Sequence, residues 1–351
     1  MAHIDLEFQK LCKAILSEGR EYENKNRGVK RLQIPSYTFR HDLSQGFPAI
    51  TNKELYWKGI VGELVWFLRG DTDIKYLNDN GIKIWNDDAF NWYVKKYSNN
   101  DAIDGQEDFY HKNEDGSYRM FTFAEFSAIG VGSVGQNYSA QWRNFNGNTD
   151  QIADLISMMK KDIMSSRLKV NAWNPSETNL TALPPCHSEF QVIGVPLTQI
   201  EMIEYARKSG VNVSKTIKVE ELIKMGIPEF GFELHWNQRS VDTFLGLPFN
   251  IASYGLLANI LELLTGYPAL AIEGTLKCVH FYDNQYDAVR KLLERDPNTH
   301  DNCEVAIAKM PNIHIDSLDS IFGYMQIEDF KLVGYTSDEA IKVKMLAPKE
   351  L

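Results

Sequence analysis

A cysteine and a histidine, Cys186-His187, stand directly after Ala182-Leu183-Pro184-Pro185. A thiol attacks carbon as its thiolate, and a nearby guanidinium stabilises that form. The natural cation is Arg239, near the head of residues 237–254, which read Asn-Gln-Arg-Ser-Val-Asp-Thr-Phe-Leu-Gly-Leu-Pro-Phe-Asn-Ile-Ala-Ser-Tyr. This stretch sets a cation, hydroxyls, amides and a carboxylate just ahead of a very apolar run, so its polar groups belong at the edge of a core, as in a binding site. Glu63 is a third candidate, the one acid among Ile60, Val61, Leu64 and Val65. A carboxylate there is costly unless it is bonded or has work to do. Burial raises its pKa, which suits proton transfer near neutrality. Each residue alone has a plainer reading: an inert apolar cysteine, an ordinary Gly246-Leu247-Pro248 turn, and Asn250 and Ser253 as helix caps. For residues 237–254 it is the spacing of the whole set that argues for a site.

The elements that must position these groups follow from periodicity. Helical spacing predicts helices over residues 5–17, 55–68, which carries Glu63, and 150–161. Alternation predicts strands over 32–39, 190–195 and 232–239, the last ending in Gln238-Arg239. Residues 251–264 are apolar on nearly every face and predict a fully buried helix, followed by strand and turn over 276–284. Residues 90–129 lack a clear period and read as an inserted subdomain or lid. Residues 197–230 hold two helix-like pieces, 199–208 and 219–225, and read as a surface excursion.

A chain of 351 residues with 44% hydrophobic and 24% charged content can bury a sizeable core. A net charge of -10 argues against a nucleic acid duplex as partner, while a local cationic pocket for one phosphate remains compatible. Cys12, Cys186, Cys278 and Cys303 show neither metal spacing nor a disulfide framework, which fits a reducing cytosol. No export signal or membrane anchor is expected, and no metal.

Arg239-Ser240-x-Asp242 followed by Gly246-x-Pro248-Phe249-Asn250 closely resembles the signature of the thymidylate synthases and their pyrimidine-hydroxymethylase relatives. The likeness extends over nearly the whole chain outside insertions at about 90–130 and 198–230. It implies a single α+β domain over residues 1–351, a large, mainly antiparallel sheet packed with helices, and a homodimer formed through a sheet face. It implies 5,10-methylenetetrahydrofolate as co-substrate and dUMP as substrate. Cys186 would add to the pyrimidine, with Glu63, Tyr138, His187 and Asn250 assisting. Arg27, Gln238, Arg239, Ser240, Asn250, His280 and Tyr282 would hold the nucleotide, and Arg167 would reach the partner's phosphate site. Lys53, Trp85, Asp242 and Gly246 would face the folate.

The chain also departs from the family pattern. Asn26-Arg27-Gly28-Val29-Lys30 replaces Arg-Thr-Gly-Thr-Gly, so Arg27 is the stand-in for the loop arginine, displaced by a position. Asp88 stands for a second tryptophan, Ser166 for a second arginine, Cys278 for an aspartate and Gln285 for a common histidine. The end of the chain, Leu346-Ala-Pro-Lys-Glu-Leu351, runs a few residues past the usual terminus. Two products are therefore open: hydride transfer gives thymidylate, whereas water entering the site gives hydroxymethyl-dUMP. A non-catalytic nucleotide- or RNA-binding relative is the third reading. Base choice is clearer, because an asparagine can donate to uracil O4 and accept from N3-H, while cytosine would call for a carboxylate.

Overall fold

Two long strands form the spine of the protein. In the computed structural model, which describes residues 4–24, 29–98, 107–308 and 318–344, Val29–Asp42 pairs antiparallel with Ala269–Tyr282 from Arg31↔Tyr282 to Asp42↔Ala271. Arg20–Asn24 extends the sheet on one side. On the other, Phe230–Gln238 runs parallel to Ala269–Tyr282, His187–Pro196 follows antiparallel, and Lys169–Asn171 forms the edge. The sheet is mainly antiparallel, as the resemblance implies. The short strand Val241–Asp242 is a second parallel neighbour of Ala269–Tyr282.

Parallel neighbours need a crossover connection. The helix Gly246–Thr265 supplies it, lying against the sheet and against the helices Trp57–Arg69 and Gln151–Lys161. Contact on several sides explains its apolar sequence. It is long and apolar enough to cross a membrane, but most of it is buried in the core. It begins at Gly246, earlier than residue 251, so Asn250 and Ser253 are not caps but lie inside the helix. The reason is local. Proline is tolerated in a first helical turn, where its missing N–H costs nothing, and the Asp242 carboxylate accepts the backbone N–H of Leu245 at 3.1 Å.

The helix Trp57–Arg69 buries Ile60, Val61, Leu64 and Val65 and carries Glu63 among them. It stops at Gly70, whose φ of 73° places it in the left-handed region that glycine enters without strain. The two stretches expected to be insertions differ in how they are built. Tyr93, Tyr97, Tyr110 and Phe126 join the main core, whereas the helices Gln199–Lys208 and Val219–Lys224 enclose a small core of their own around Met202, Ala206 and Leu222. Near the C-terminus Phe330–Val333 pairs with Glu304–Ile307. Residues 341–344, which alternate like a strand, form none. Alternation alone does not make a strand without a sheet edge to pair with, and here the Lys344 carbonyl accepts a side-chain N–H of Asn284 instead.

Candidate active site

Cys186 sits at the mouth of the strand His187–Pro196 and is held through its main chain. Its N–H donates to the Tyr138 hydroxyl at 2.6 Å, and its carbonyl accepts the N–H of Arg239 at 2.8 Å. The Arg239 guanidinium donates Nε to the Pro185 carbonyl at 2.8 Å and Nη2 to the Pro184 carbonyl at 2.7 Å, and lies 5.0 Å from the centre of the Trp173 ring. The sequence links Arg239 to Cys186 only as a candidate cation. The structure ties it to the two carbonyls immediately before the thiol, with further donors in its planar fork.

His187 is buried between aromatic rings. It stacks on Tyr138 at 4.0 Å, and its Nδ1 lies 2.9 Å from the Tyr254 hydroxyl. Burial drives its pKa down to about 3, so at neutral pH it is an uncharged hydrogen-bonding group. Burial also holds the Tyr254 hydroxyl well above the usual phenol range, and Tyr254 stacks on Trp236 at 4.6 Å. The sequence reading missed the role of Tyr254. The signal was its position four residues after Asn250, which puts both on one helix face.

Glu63 accepts the indole N–H of Trp85 at 2.7 Å, and burial raises its pKa to about 7. Trp85 packs against Trp66 and lies 6.5 Å from Tyr138. Burial pushes the Tyr138 phenol upward, and Cys186, Tyr254 and Glu63 push it the same way, so these four groups share one electrostatic neighbourhood.

A second set surrounds Asn250. Gln238 Nε2 donates to Asn250 Oδ1 at 3.1 Å and to the Ser240 carbonyl at 3.2 Å, while Gln238 Oε1 accepts from Trp236 at 3.3 Å. These bonds orient the Asn250 amide with its oxygen toward Gln238. Gly246 keeps space between Asn250 and Asp242, since a Cβ there would sit 3.7 Å from Asp242 Cβ and 3.9 Å from Asn250 Oδ1.

Asp242 receives both carboxylate bonds from Gln285 Nε2, each at 3.0 Å. Burial raises its pKa, against the Leu245 N–H, Gln285 and Lys53, which lower it. Lys53 is itself buried, its ammonium donating to the Phe244 carbonyl and lying 4.3 Å from the Phe244 ring centre. Desolvation lowers it to about 8, opposed by Asp242. Asp242 stands opposite His280 in the sheet register. His280 Nδ1 lies 2.7 Å from the Cys278 carbonyl, and its ring meets Tyr282 edge-on at 4.8 Å. Cys278 takes a φ of 46°, uncommon for a residue with a side chain.

The structure thus brings together Cys186, Glu63, Tyr138, His187 and Arg239, and links Gln238, Ser240 and Asn250 to them through the strand Phe230–Gln238 and the turn after it. Arg167 is exposed beside the edge strand Lys169–Asn171. Arg27 lies outside the described residues, as does the tail from residue 345. Among the described residues no group of three or more His, Cys, Asp or Glu is placed to hold a metal ion.

A family model described as thymidylate synthase matches residues 6–347. Among similar curated proteins, the chain is 36% identical to thymidylate synthase of Malacoplasma penetrans over 97% of this chain and 99% of that one. It is 34% identical to that of Mycoplasma mobile, again over 97% and 99%, and 31% identical to that of Mycoplasma pneumoniae over 96% and 98%.

Proposed function

The chain belongs to the thymidylate synthase family, and from that membership we propose how its own residues divide the work of methylating dUMP. It is an enzyme of methyl transfer to dUMP, with 5,10-methylenetetrahydrofolate as co-substrate. The relatives do not favour the hydroxymethylase alternative. One observation carries the division of roles: Cys186 is gripped from both sides by Tyr138 and Arg239, next to a neutral His187.

Pyrimidine C5 is too weakly nucleophilic to take up a one-carbon unit unaided. Cys186 Sγ forms a bond to C6, and the ring π electrons move to C5 and O4 as an enolate. The Asn250 amide, held by Gln238, donates to O4 where that charge collects. C5 then bonds to the methylene carbon, which the co-substrate supplies together with the hydride that completes the methyl group. Loss of the C5 proton, which needs a base, breaks the bond from the methylene carbon to the folate nitrogen, so tetrahydrofolate would leave and an exocyclic methylene remain on C5; Tyr138, with Glu63 and His187 behind it, lies in that neighbourhood. Hydride arrival at the exocyclic methylene expels Cys186 and leaves dTMP and dihydrofolate.

Arg239 and Ser240 take the nucleotide phosphate, with Arg27 in the same role. His280 and Tyr282 take the deoxyribose hydroxyl. Trp85, Asp242, Gly246 and Lys53 border the folate; the Lys53 ammonium, committed to the Phe244 carbonyl, acts on it through Asp242. The catalytic unit is one domain with two insertions. In a homodimer formed through the sheet, the exposed Arg167 reaches the partner's phosphate.

Incubation with dUMP and methylenetetrahydrofolate tests the reading directly. Nucleotide heavier by one methylene, with stoichiometric dihydrofolate by absorbance, is the expected result. Hydroxymethylated nucleotide with tetrahydrofolate would overturn it. Base choice gives a second test. Asn250→Asp exchanges an amide donor for an acceptor, which fits the cytosine 4-amino group, so kcat/KM for dUMP should fall by about a hundredfold while dCMP becomes the preferred base. Unchanged base preference by competition assay would remove Asn250 from its role.

A further inference from the structure

We propose that Gln285 is a positioning residue that couples the nucleotide end of the site to its folate end through a single side-chain amide. The proposal rests on the functional reading above and adds a residue to it.

Gln285 closes the turn Asp283–Gln285 directly after the strand Ala269–Tyr282 and is 1% exposed. Its Oε1 accepts the backbone N–H of Tyr282 at 3.0 Å, and its Nε2 donates to both oxygens of Asp242 at 3.0 Å. An amide has one accepting end and one donating end, and here a main-chain N–H and a carboxylate claim one each. Tyr282 belongs to the pair that takes the deoxyribose hydroxyl, and Asp242 to the folate border. One buried group therefore fixes a residue of each.

The chemistry of the position is specific to the amide. Asp242 is held by the Leu245 N–H and by Gln285 and is faced by Lys53, whose ammonium rests on the Phe244 carbonyl. From the strand Ala269–Tyr282 it is faced by His280, whose Nδ1 is engaged with the Cys278 carbonyl. Asp283, in the turn itself, is exposed. A histidine, common here in the family, would titrate near neutrality. Glutamine donates to Asp242 at every pH, so the carboxylate keeps its orientation when nearby groups change charge.

Glutamate at this position separates the two ends. A Gln285→Glu side chain can still accept from Tyr282 N–H but confronts Asp242 with a second acceptor. In the full-length enzyme, dUMP dissociation by equilibrium dialysis is expected to stay within about threefold of wild type, while KM for methylenetetrahydrofolate rises about tenfold at mildly alkaline pH. That ratio should shrink at mildly acidic pH, because a proton shared between the two carboxyls restores a donor. Gln285→Met removes both ends at similar volume and should weaken both ligands about tenfold, and Gln285→His should return both to within about threefold of wild type. Equal loss of both ligands in Q285E, a pH-independent folate ratio, or wild-type behaviour of Gln285→Met would each overturn the proposal. Wild-type protein that neither binds nor converts dUMP would overturn the functional reading, and this inference with it.

Discussion

A Cys186→Ala protein should bind dUMP and convert none of it. Turnover is expected to fall by about 10⁴-fold or more, because no other group can supply the C6 bond that makes C5 nucleophilic. The structure makes this substitution unusually clean. Cys186 is held by its backbone, with N–H on Tyr138 and carbonyl under Arg239, and both bonds survive loss of the sulfur. A drop in rate therefore reports chemistry and not a collapsed site. Equilibrium dialysis with dUMP alongside initial rates separates the two, with the nucleotide dissociation constant expected within about threefold of wild type. Denaturing mass spectrometry adds a check, since wild-type protein trapped during turnover should carry the nucleotide mass and the variant should not. Full turnover by Cys186→Ala would end both the methylase and the hydroxymethylase readings.

The same anchoring shows what the sequence could and could not disclose. Strands and helices were legible wherever one face is buried, because burial imposes the period: Val29–Asp42, Trp57–Arg69 and Phe230–Gln238 all appear where alternation or helical spacing puts them. The start of Gly246–Thr265 was hidden, because glycine and proline usually punctuate, and their fit to a first helical turn depends on the Asp242 carboxylate reaching Leu245. The site residues were legible through motif likeness, but their mutual bonds were not. Tyr138 reaches Cys186 across 48 positions, a contact with no local signature. Lys53 was legible only through the resemblance, as a residue facing the folate, and only the fold reveals the Phe244 carbonyl and ring that bury it.

Charge placement follows the same logic of long-range context. Three groups near the thiol, Glu63 half-buried and Tyr254 and His187 buried, are moved by one main cause, desolvation, in opposite formal directions: Glu63 up, Tyr254 up and His187 down. In each case the neutral form is favoured. Buried proton carriers shifted toward their neutral forms suit a reaction whose intermediates carry negative charge on the ring.

Glu63 is the group in this pocket whose pKa, about 7, lies within the working range, and that makes Glu63→Gln the most informative proton-transfer variant. kcat should fall by about 10²- to 10³-fold, the usual scale for loss of a positioned acid or base. The glutamine still accepts the Trp85 indole N–H, so binding of dUMP should change little. The pH profile of kcat is the sharper reading. Wild-type enzyme should show a limb with its midpoint near 7, set by Glu63, and the variant should lose that limb. Stability gives an independent readout with a fixed sign. A carboxyl raised from its ordinary 4.5 to about 7 contributes stability that is fully present below 4.5 and lost as pH rises through 7, since the unfolded chain ionises first. The amide of the Glu63→Gln variant cannot ionise, so its melting temperature should gain on that of wild type as pH rises from 4.5 to 7 and hold the gain above it. Parallel melting and kinetic profiles that both keep the wild-type limb would show that Glu63 is not the titrating group, and the proton traffic at C5 would then have to run through Tyr138 without it.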